Sequence, residues 1–383
     1  MNYDFIIVGA GFAGLVLAER ISTQLDKKCL IIDRRSHIGG NAHDEYDDAG
    51  VLIHTYGPHY FRTDSERVQS YLSQFTEWLP VNYEIRSYTR GQYWNFPINL
   101  NTFEQYIGRA STREEFESWL DEHRIRIDRP ANSEELILAM AGPEFYEMFY
   151  RGYTVKQWRE DPRNIDPEVC GRISIRTDRN NGYVSERFQA LPRDGYHVLF
   201  DNMINACGGN ADLMLGTEYE DVKSKVFCKH LIYTGSPDEY YEFALGKLPY
   251  RSLRFARQSF DANELFEREA IAGKKGFWQP TVQVNYPNDN DFTRIVETKH
   301  ITGQQCDVTT IVREYPQDYS DGAEPYYPVP TGEAAAIYRK YEELAGLERR
   351  VTFIGRLANY KYYNMDRVIE KALDCFERMR KMI

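Results

Sequence analysis

Three glycines and one aspartate near the start of the chain have the types and spacing for chemistry. The segment DFIIVGAGFAGLVLAER runs an apolar stretch, Phe5 to Val8, straight into Gly9-x-Gly11-x-x-Gly14. Gly9 lets the chain turn, Gly11 lets the backbone approach a pyrophosphate, and Gly14 lets the following helix pack closely on the strand. The first N–H groups of that helix face the phosphates with a partial positive charge. A second apolar run, KCLIID, ends at Asp33, close to the spacing of a carboxylate that hydrogen-bonds a ribose hydroxyl. A lone glycine fingerprint also fits an ordinary βα turn. Here strand, turn, helix and acid fall in order and point to dinucleotide binding.

These residues need elements to hold them. Residues 101 to 160 read as helical, with TREEFESWLDEHRIRI and SEELILAMAGPEFYEMFYRGYTVKQW carrying apolar side chains at three- and four-residue spacing. From 248 to 315 the pattern changes to short alternating or β-branched runs, TVQVNY, FTRIVET and CDVTTIVREY, separated by turn residues. CKHLIYTGS reads as a buried strand ending in a turn. The C-terminal part returns to α/β signals: a helix at EAAAIYRKYEELAGL, a strand at RVTFIG, and a last helix whose Val368, Ile369, Ala372, Leu373, Phe376 and Met379 share one face. The alternation predicts an α/β protein with a Rossmann-like nucleotide domain built from residues 1–63, 195–247 and 328–383. A helical insertion (101–179) and an antiparallel β-sheet insertion (64–100, 180–194 and 248–327) interrupt it.

With 383 residues the chain has room for a large core and two or three domains. Its 58 acidic against 47 basic residues give a net charge of −11, which argues against nucleic acid or an anionic membrane as a general partner. An anionic substrate therefore needs a local basic pocket. Cys29, Cys170, Cys207, Cys228, Cys306 and Cys375 are scattered without a CxxC pair, so neither a metal site nor a disulfide framework is expected, and the cytoplasm is the simplest compartment. The opening strand meets its glycine turn too early for a signal peptide. No apolar stretch approaches the length of a membrane span. The 29 tyrosines suit either a polar, π-rich pocket or amphipathic packing.

The stretch after Asp33, D-R-R-x-x-x-G-G-N with Arg34, Gly40 and Asn41, resembles the extended nucleotide motif of two-domain FAD enzymes. That resemblance implies FAD, the acid taking the adenosine ribose and Gly-Gly lying along the longer cofactor. In FIGRLANY, Arg356 fits a second contact to the pyrophosphate; alone it reads as a surface arginine after a strand. No second well-placed GxGxxG appears, so no built-in NAD(P)H domain is expected, which weakens a reductase reading.

The chain also resembles the bacterial UDP-galactopyranose mutases, through an ordered series that includes GAGFAG, HIGGNA, YGPHYF, NFPINLNTF, GYTVKQW, RISIR, YTGSPDEYYEF, TRIVETKH, EPYYPVP and GRLANYKYYNM. The resemblance implies a redox-neutral isomerase that interconverts pyranose and furanose forms of a nucleotide sugar, most directly UDP-galactopyranose and UDP-galactofuranose, for cell-surface polysaccharide. In that family non-covalent FAD must be reduced, so the resemblance also implies an external electron donor. Its N5 attacks the anomeric carbon and expels the nucleoside diphosphate, and the flavin-sugar adduct opens to an iminium before the ring recloses. The family is often homodimeric.

Carried over residue by residue, Arg172 and Arg294 match the two diphosphate arginines; either one alone reads as a surface ion pair. Tyr183, Tyr327 and Tyr362 match phenols that hydrogen-bond phosphate oxygens. Asn82, Thr154, Trp158 and Asn285 match nucleotide or sugar contacts, with Phe149, Tyr150 and Tyr153 near the base, although Trp158 equally suits a helical core. His59 matches a histidine beside the flavin. The family's cofactor positions further fall on Ala13, Tyr60, Tyr363, Asn364 and Met365. Two residues depart from the family pattern: Arg62 stands where a histidine is usual, and Asn364 where an aspartate is. If both face one pocket, it is more positive than usual. A mutase for another nucleotide sugar, a dTDP-deoxyhexose or UDP-N-acetylhexosamine, is the nearest alternative. An amine-oxidase-like flavin oxidoreductase and a sugar-nucleotide sensor without turnover are further ones.

Overall fold

The apolar run at the N-terminus becomes Asn2–Val8, the middle strand of a five-stranded parallel sheet. The computed structural model describes residues 2–265, 275–320, 323–329 and 331–381, so Pro330 of the EPYYPVP motif and 266–274 of the sheet insertion lie outside the described residues. The sheet order is Ala211–Met214, Cys29–Ile32, Asn2–Val8, Phe227–Tyr233 and Val351–Phe353. A strand covered on both faces reads as continuously apolar. Accordingly Ile6 and Ile7, which point to opposite faces, are both buried, as is all of Cys29–Ile32. Each such side chain contributes about 1.5–3 kcal/mol. Helix Phe12–Gln24 packs against the C-terminal helix Met365–Arg380 and against Tyr196–Ala206. The predicted face of the last helix is the buried one, with Ile369, Ala372, Leu373, Phe376 and Met379 inside.

The second sheet has seven strands in the order Tyr327–Pro328, Tyr250–Asp261, Val308–Asp318, Arg294–Val296, Gln283–Asn285, Ile85–Thr89 and Gln92–Phe96. All its pairings are antiparallel except Gln283–Asn285 with Ile85–Thr89, which run parallel. Those two strands come from distant chain segments, so no hairpin dictates their sense.

The long helical stretch is broken. Ser133–Phe145 contains Gly142 at φ 79° and ψ 171°, followed by Pro143. Proline cannot supply a helical N–H and its ring crowds the preceding turn, so the axis changes direction there. A Cβ on Gly142 would stand 2.6 Å from the His123 carbonyl, so the break also lets two helices approach closely. Tyr146–Tyr150 then forms a wider π-type turn and Arg151–Trp158 returns to α-helix. The earlier helix ends at His123, and Arg124 is already extended, so the RIRI segment is not helical.

Candidate active site

The glycine loop forms a cradle. A Cβ on Gly9, at φ 104°, would collide with Thr234 Oγ1, and one on Gly14 would collide with the Gly9 carbonyl. One on Gly11 would meet only the Gly40 Cα, at 3.7 Å, and otherwise project into a cavity of about 590 Å³. Helix Phe12–Gln24 starts at Gly11 with no side-chain cap, leaving its first N–H groups for a ligand. Asp33 braces the loop: its Oδ2 accepts from the Ala10 N–H at 2.7 Å and its Oδ1 from the Arg35 N–H at 2.9 Å. Ala13, Arg34, Gly40 and Asn41 line the same cavity. Glu324, not anticipated, enters from the end of the predicted sheet insertion and accepts from both Arg34 and Arg35 at 3.0 Å. A cavity of about 590 Å³ lined by the glycine turn, the Asp33 carboxylate and an uncapped helix start fits a dinucleotide such as FAD.

A second cavity, of about 270 Å³, adjoins the first through His59, Arg356, Tyr363 and Met365, which line both. Arg172 ends the short helix Pro167–Gly171 and lies over the Tyr362 ring, 4.2 Å from its centroid. Arg356 lies over the rings of Tyr362 and Tyr327, at 4.5 and 4.8 Å, and those two phenols stack at 5.3 Å. Arg294 pairs with the buried Glu314 at 2.7 Å. Three guanidiniums thus converge with Tyr153, Tyr183, Tyr327 and Tyr362 on one space. Desolvation pushes the Tyr362 phenol up, but Arg172, Arg356 and Arg294 outweigh it and hold the group down at about 8.

Phe149 and Tyr150, from the π-type turn, and Thr154 and Trp158, from the helix after it, line the same chamber. Trp158 lies 6.0 Å from Tyr327. Asn285 accepts from Gln283 Nε2 at 2.8 Å, and Gln283 in turn accepts from Tyr83 OH at 2.9 Å. The His59 backbone N–H donates to His54 Nδ1 at 3.0 Å, and its ring Nδ1 contacts the Gly57 carbonyl at 2.9 Å. Burial, with neighbouring His54, pushes His59 down to about 3, so its ring is neutral near pH 7. Tyr60 stacks on Tyr83 at 4.4 Å and lines the second cavity.

Asn82 stands apart. It donates to Glu84 at 2.9 Å and does not line either cavity. Arg62 and Asn364 do line one cavity together, yet Arg62 is paired with Glu186 at 3.0 Å, which offsets the added charge. Like Glu324, Glu314 and Glu186 are neighbours of the candidate site that sequence reading missed. Glu314 sits in the EYP segment, and only strand register reveals that it faces Arg294.

A cavity built on a Rossmann-like glycine turn thus adjoins a chamber lined by arginines and tyrosines. Residues 148–362 match the UDP-galactopyranose mutase family model, and residues 7–75 match the NAD(P)-binding Rossmann-like domain. The chain is 32% identical over 377 residues to the probable UDP-galactopyranose mutase of Klebsiella pneumoniae, covering 97% of this chain and 93% of that one. It is equally 32% identical, over 379 residues, to the dTDP-fucopyranose mutase of Escherichia coli, covering 97% and 96%. The chain belongs to the UDP-galactopyranose mutase family, a family of isomerases, and that membership implies a flavin cofactor and a nucleotide-sugar substrate. Its fold is that of a crystal structure of reduced UDP-galactopyranose mutase, with a TM-score of 0.76 at 16% identity over 100% of this chain and 95% of that one. Putrescine oxidase with bound putrescine shares the fold more distantly, with a TM-score of 0.55 at 11% identity over 98% and 99%. Among the described residues no helix is long and apolar enough to cross a membrane.

Proposed function

We propose that this chain converts the pyranose form of a nucleotide-linked hexose to its furanose form, UDP-galactopyranose being the first candidate, with non-covalent FAD that works reduced. The convergence of Arg172, Arg294 and Arg356 with four phenols on a chamber adjoining the nucleotide cradle carries this reading. Reduced flavin, when bound, supplies an electron-rich centre toward the anomeric carbon. The chain supplies the rest. Arg172 and Arg294 take the negative charge that grows on the departing diphosphate, in a cleft where fixed cations act strongly. Tyr183, Tyr327 and Tyr362 add hydrogen bonds without further net charge. Phe149, Tyr150, Tyr153, Thr154 and Trp158 hold the nucleoside, and Asn285 the sugar side. The neutral His59 ring shapes the wall shared with the cofactor.

A second reading keeps the chemistry and changes the substrate. The E. coli dTDP-fucopyranose mutase is as similar as the Klebsiella protein, and Arg62 and Asn364, the two departures from the family pattern, both line the chamber. Dithionite-reduced protein incubated with UDP-galactopyranose, dTDP-fucopyranose or a UDP-N-acetylhexosamine separates the two by product chromatography. Furanose from the thymidine-linked sugar alone selects the second reading. No furanose from any of them, or stoichiometric bleaching of oxidised flavin by an amine, defeats both.

A further inference from the structure

The hairpin that presents Arg294 sets Asn285 and Arg294 directly opposite each other; the Tyr286 N–H donates to the Thr293 carbonyl at 2.8 Å just beyond them, and the turn proper spans residues 287–292. Both members line the chamber. Thr293 at the foot of the turn donates its N–H and Oγ1 to the Glu314 carbonyl, at 2.9 and 3.2 Å; the turn residues beyond it are free to shift unless something further takes hold.

Helix Arg151–Trp158 does so. The Lys156 ammonium, on the helix that carries Tyr153, Thr154 and Trp158, donates to the carbonyls of Tyr286, Asn290 and Phe292, the last two at 2.8 and 3.1 Å. Its three donors are thereby spent on three acceptors of one turn. Close approach is built in beneath it: a Cβ on Gly152 would collide with Asn288 Oδ1 and the Pro287 carbonyl. Asn288 adds a second hold, donating to Thr89 Oγ1 at 3.0 Å and the Met148 carbonyl at 3.2 Å. Lys156 itself does not line the chamber.

We propose that Lys156 is a positioning residue for Arg294, its ammonium gathering the turn's carbonyls so that the Asn285–Arg294 pair is fixed against the nucleoside-binding helix. The role rests on the diphosphate reading of Arg294 given above. Partial burial lowers the ammonium to about 8, with Asp289 and Asp291 of the same turn acting the other way.

Two measurements on the FAD-loaded protein test this. Hydrogen exchange needs no ligand: in Lys156→Met, amides within 287–292 are expected to exchange about tenfold faster, and unchanged exchange overturns the clamp. UDP titrated by calorimetry is expected to bind about tenfold more weakly to Lys156→Met, with Lys156→Arg recovering most of the loss. Because Lys156 acts through Arg294, the double variant Lys156→Met/Arg294→Ala is expected to bind UDP no more weakly than Arg294→Ala alone. Fully additive losses overturn the proposal. If the parent fails to bind UDP while exchange still quickens in Lys156→Met, the clamp stands and the nucleotide-sugar reading falls.

Discussion

Arg294 and Glu314 face each other on adjacent antiparallel strands, and Nε and Nη2 of the guanidinium both reach one carboxylate oxygen, at 2.8 and 2.7 Å. Glu314 is 1% exposed and its Oε1 has no hydrogen-bond partner among the described residues. The arginine is thus held ready by a counter-charge on its inner side while its outer side faces the chamber. Glu314→Gln keeps the shape and removes the charge. It is expected to cost about 2–3 kcal/mol in the ligand-free protein, since a buried guanidinium loses its partner. An arriving diphosphate replaces the missing anion, so UDP should raise the melting temperature more in Glu314→Gln than in the parent. Equal shifts in the two proteins would deny contact between Arg294 and the diphosphate.

Tyr362 makes the chamber sensitive to pH. Its phenol is held at about 8 against an ordinary 10.0. A depressed acid contributes stability that is fully present above the unfolded value and lost as pH falls through the folded one. The contribution from Tyr362 therefore grows between pH 8 and 10 and is absent below. On the proposed reading diphosphate competes with phenolate for Arg172 and Arg356, so binding takes up a proton, and UDP affinity should weaken as pH rises above 8. Tyrosinate absorbance should titrate near 8 in the parent and shift upward with UDP. Tyr362→Phe should lose both effects; an unchanged pH dependence in that variant refutes the linkage.

His59 titrates on the acid side. Its folded value, about 3, lies below the ordinary 6.5. The stability it contributes is present above pH 6.5 and lost as pH falls from there toward 3. Urea unfolding of His59→Phe from pH 7 to 4 should accordingly fall less steeply than that of the parent, and between pH 7 and 9 the two slopes should coincide. Parallel curves throughout would place the imidazolium, rather than the neutral ring, on the chamber wall.

The glycines of the cradle separate fold from cofactor. Gly11→Ala meets only an ordinary contact at 3.7 Å, so the apoprotein should melt as the parent does while FAD retained on purification drops by about tenfold or more. Gly9→Ala, at φ 104° and against Thr234, should lower the melting temperature of the apoprotein itself. Full FAD occupancy in Gly11→Ala would move the pyrophosphate elsewhere.

Sequence reading reaches as far as local pattern does. The strand-turn-helix at Gly9, Gly11 and Gly14 and the acid at Asp33 are adjacent in sequence, and the apolar face of the last helix repeats at helical spacing; all were legible. Arg172 and Arg294 were legible only through family motifs, because nothing in their immediate neighbours brings them to one chamber. What escaped depends on partners far along the chain. Glu314 faces Arg294 by strand register, Glu186 reaches Arg62 across 124 positions, and the parallel pairing of Ile85–Thr89 with Gln283–Asn285 follows no hairpin rule. The break at Gly142 was visible as Gly-Pro, yet the apolar periodicity on both sides masked it. Asn82 carried a family position but is occupied by Glu84 two residues on.

Arg62 and Glu186 form a pair whose charges cancel at the chamber's edge, 3.0 Å apart with about a quarter of each side chain exposed, 25% and 23%. The departure from histidine thus brings a cation together with an anion that restrains it. Glu186→Gln removes the restraint and leaves a net positive charge beside the proposed diphosphate site, so UDP should bind about threefold tighter at low salt. Since both side chains touch solvent, the gain should shrink as salt is raised to 0.5 M, where screening acts over only a few ångströms. Arg62→Gln should move affinity the opposite way, and the double variant should return close to the parent. A salt-independent gain, or no gain, would mean that Arg62 acts on the chamber through its shape rather than its charge.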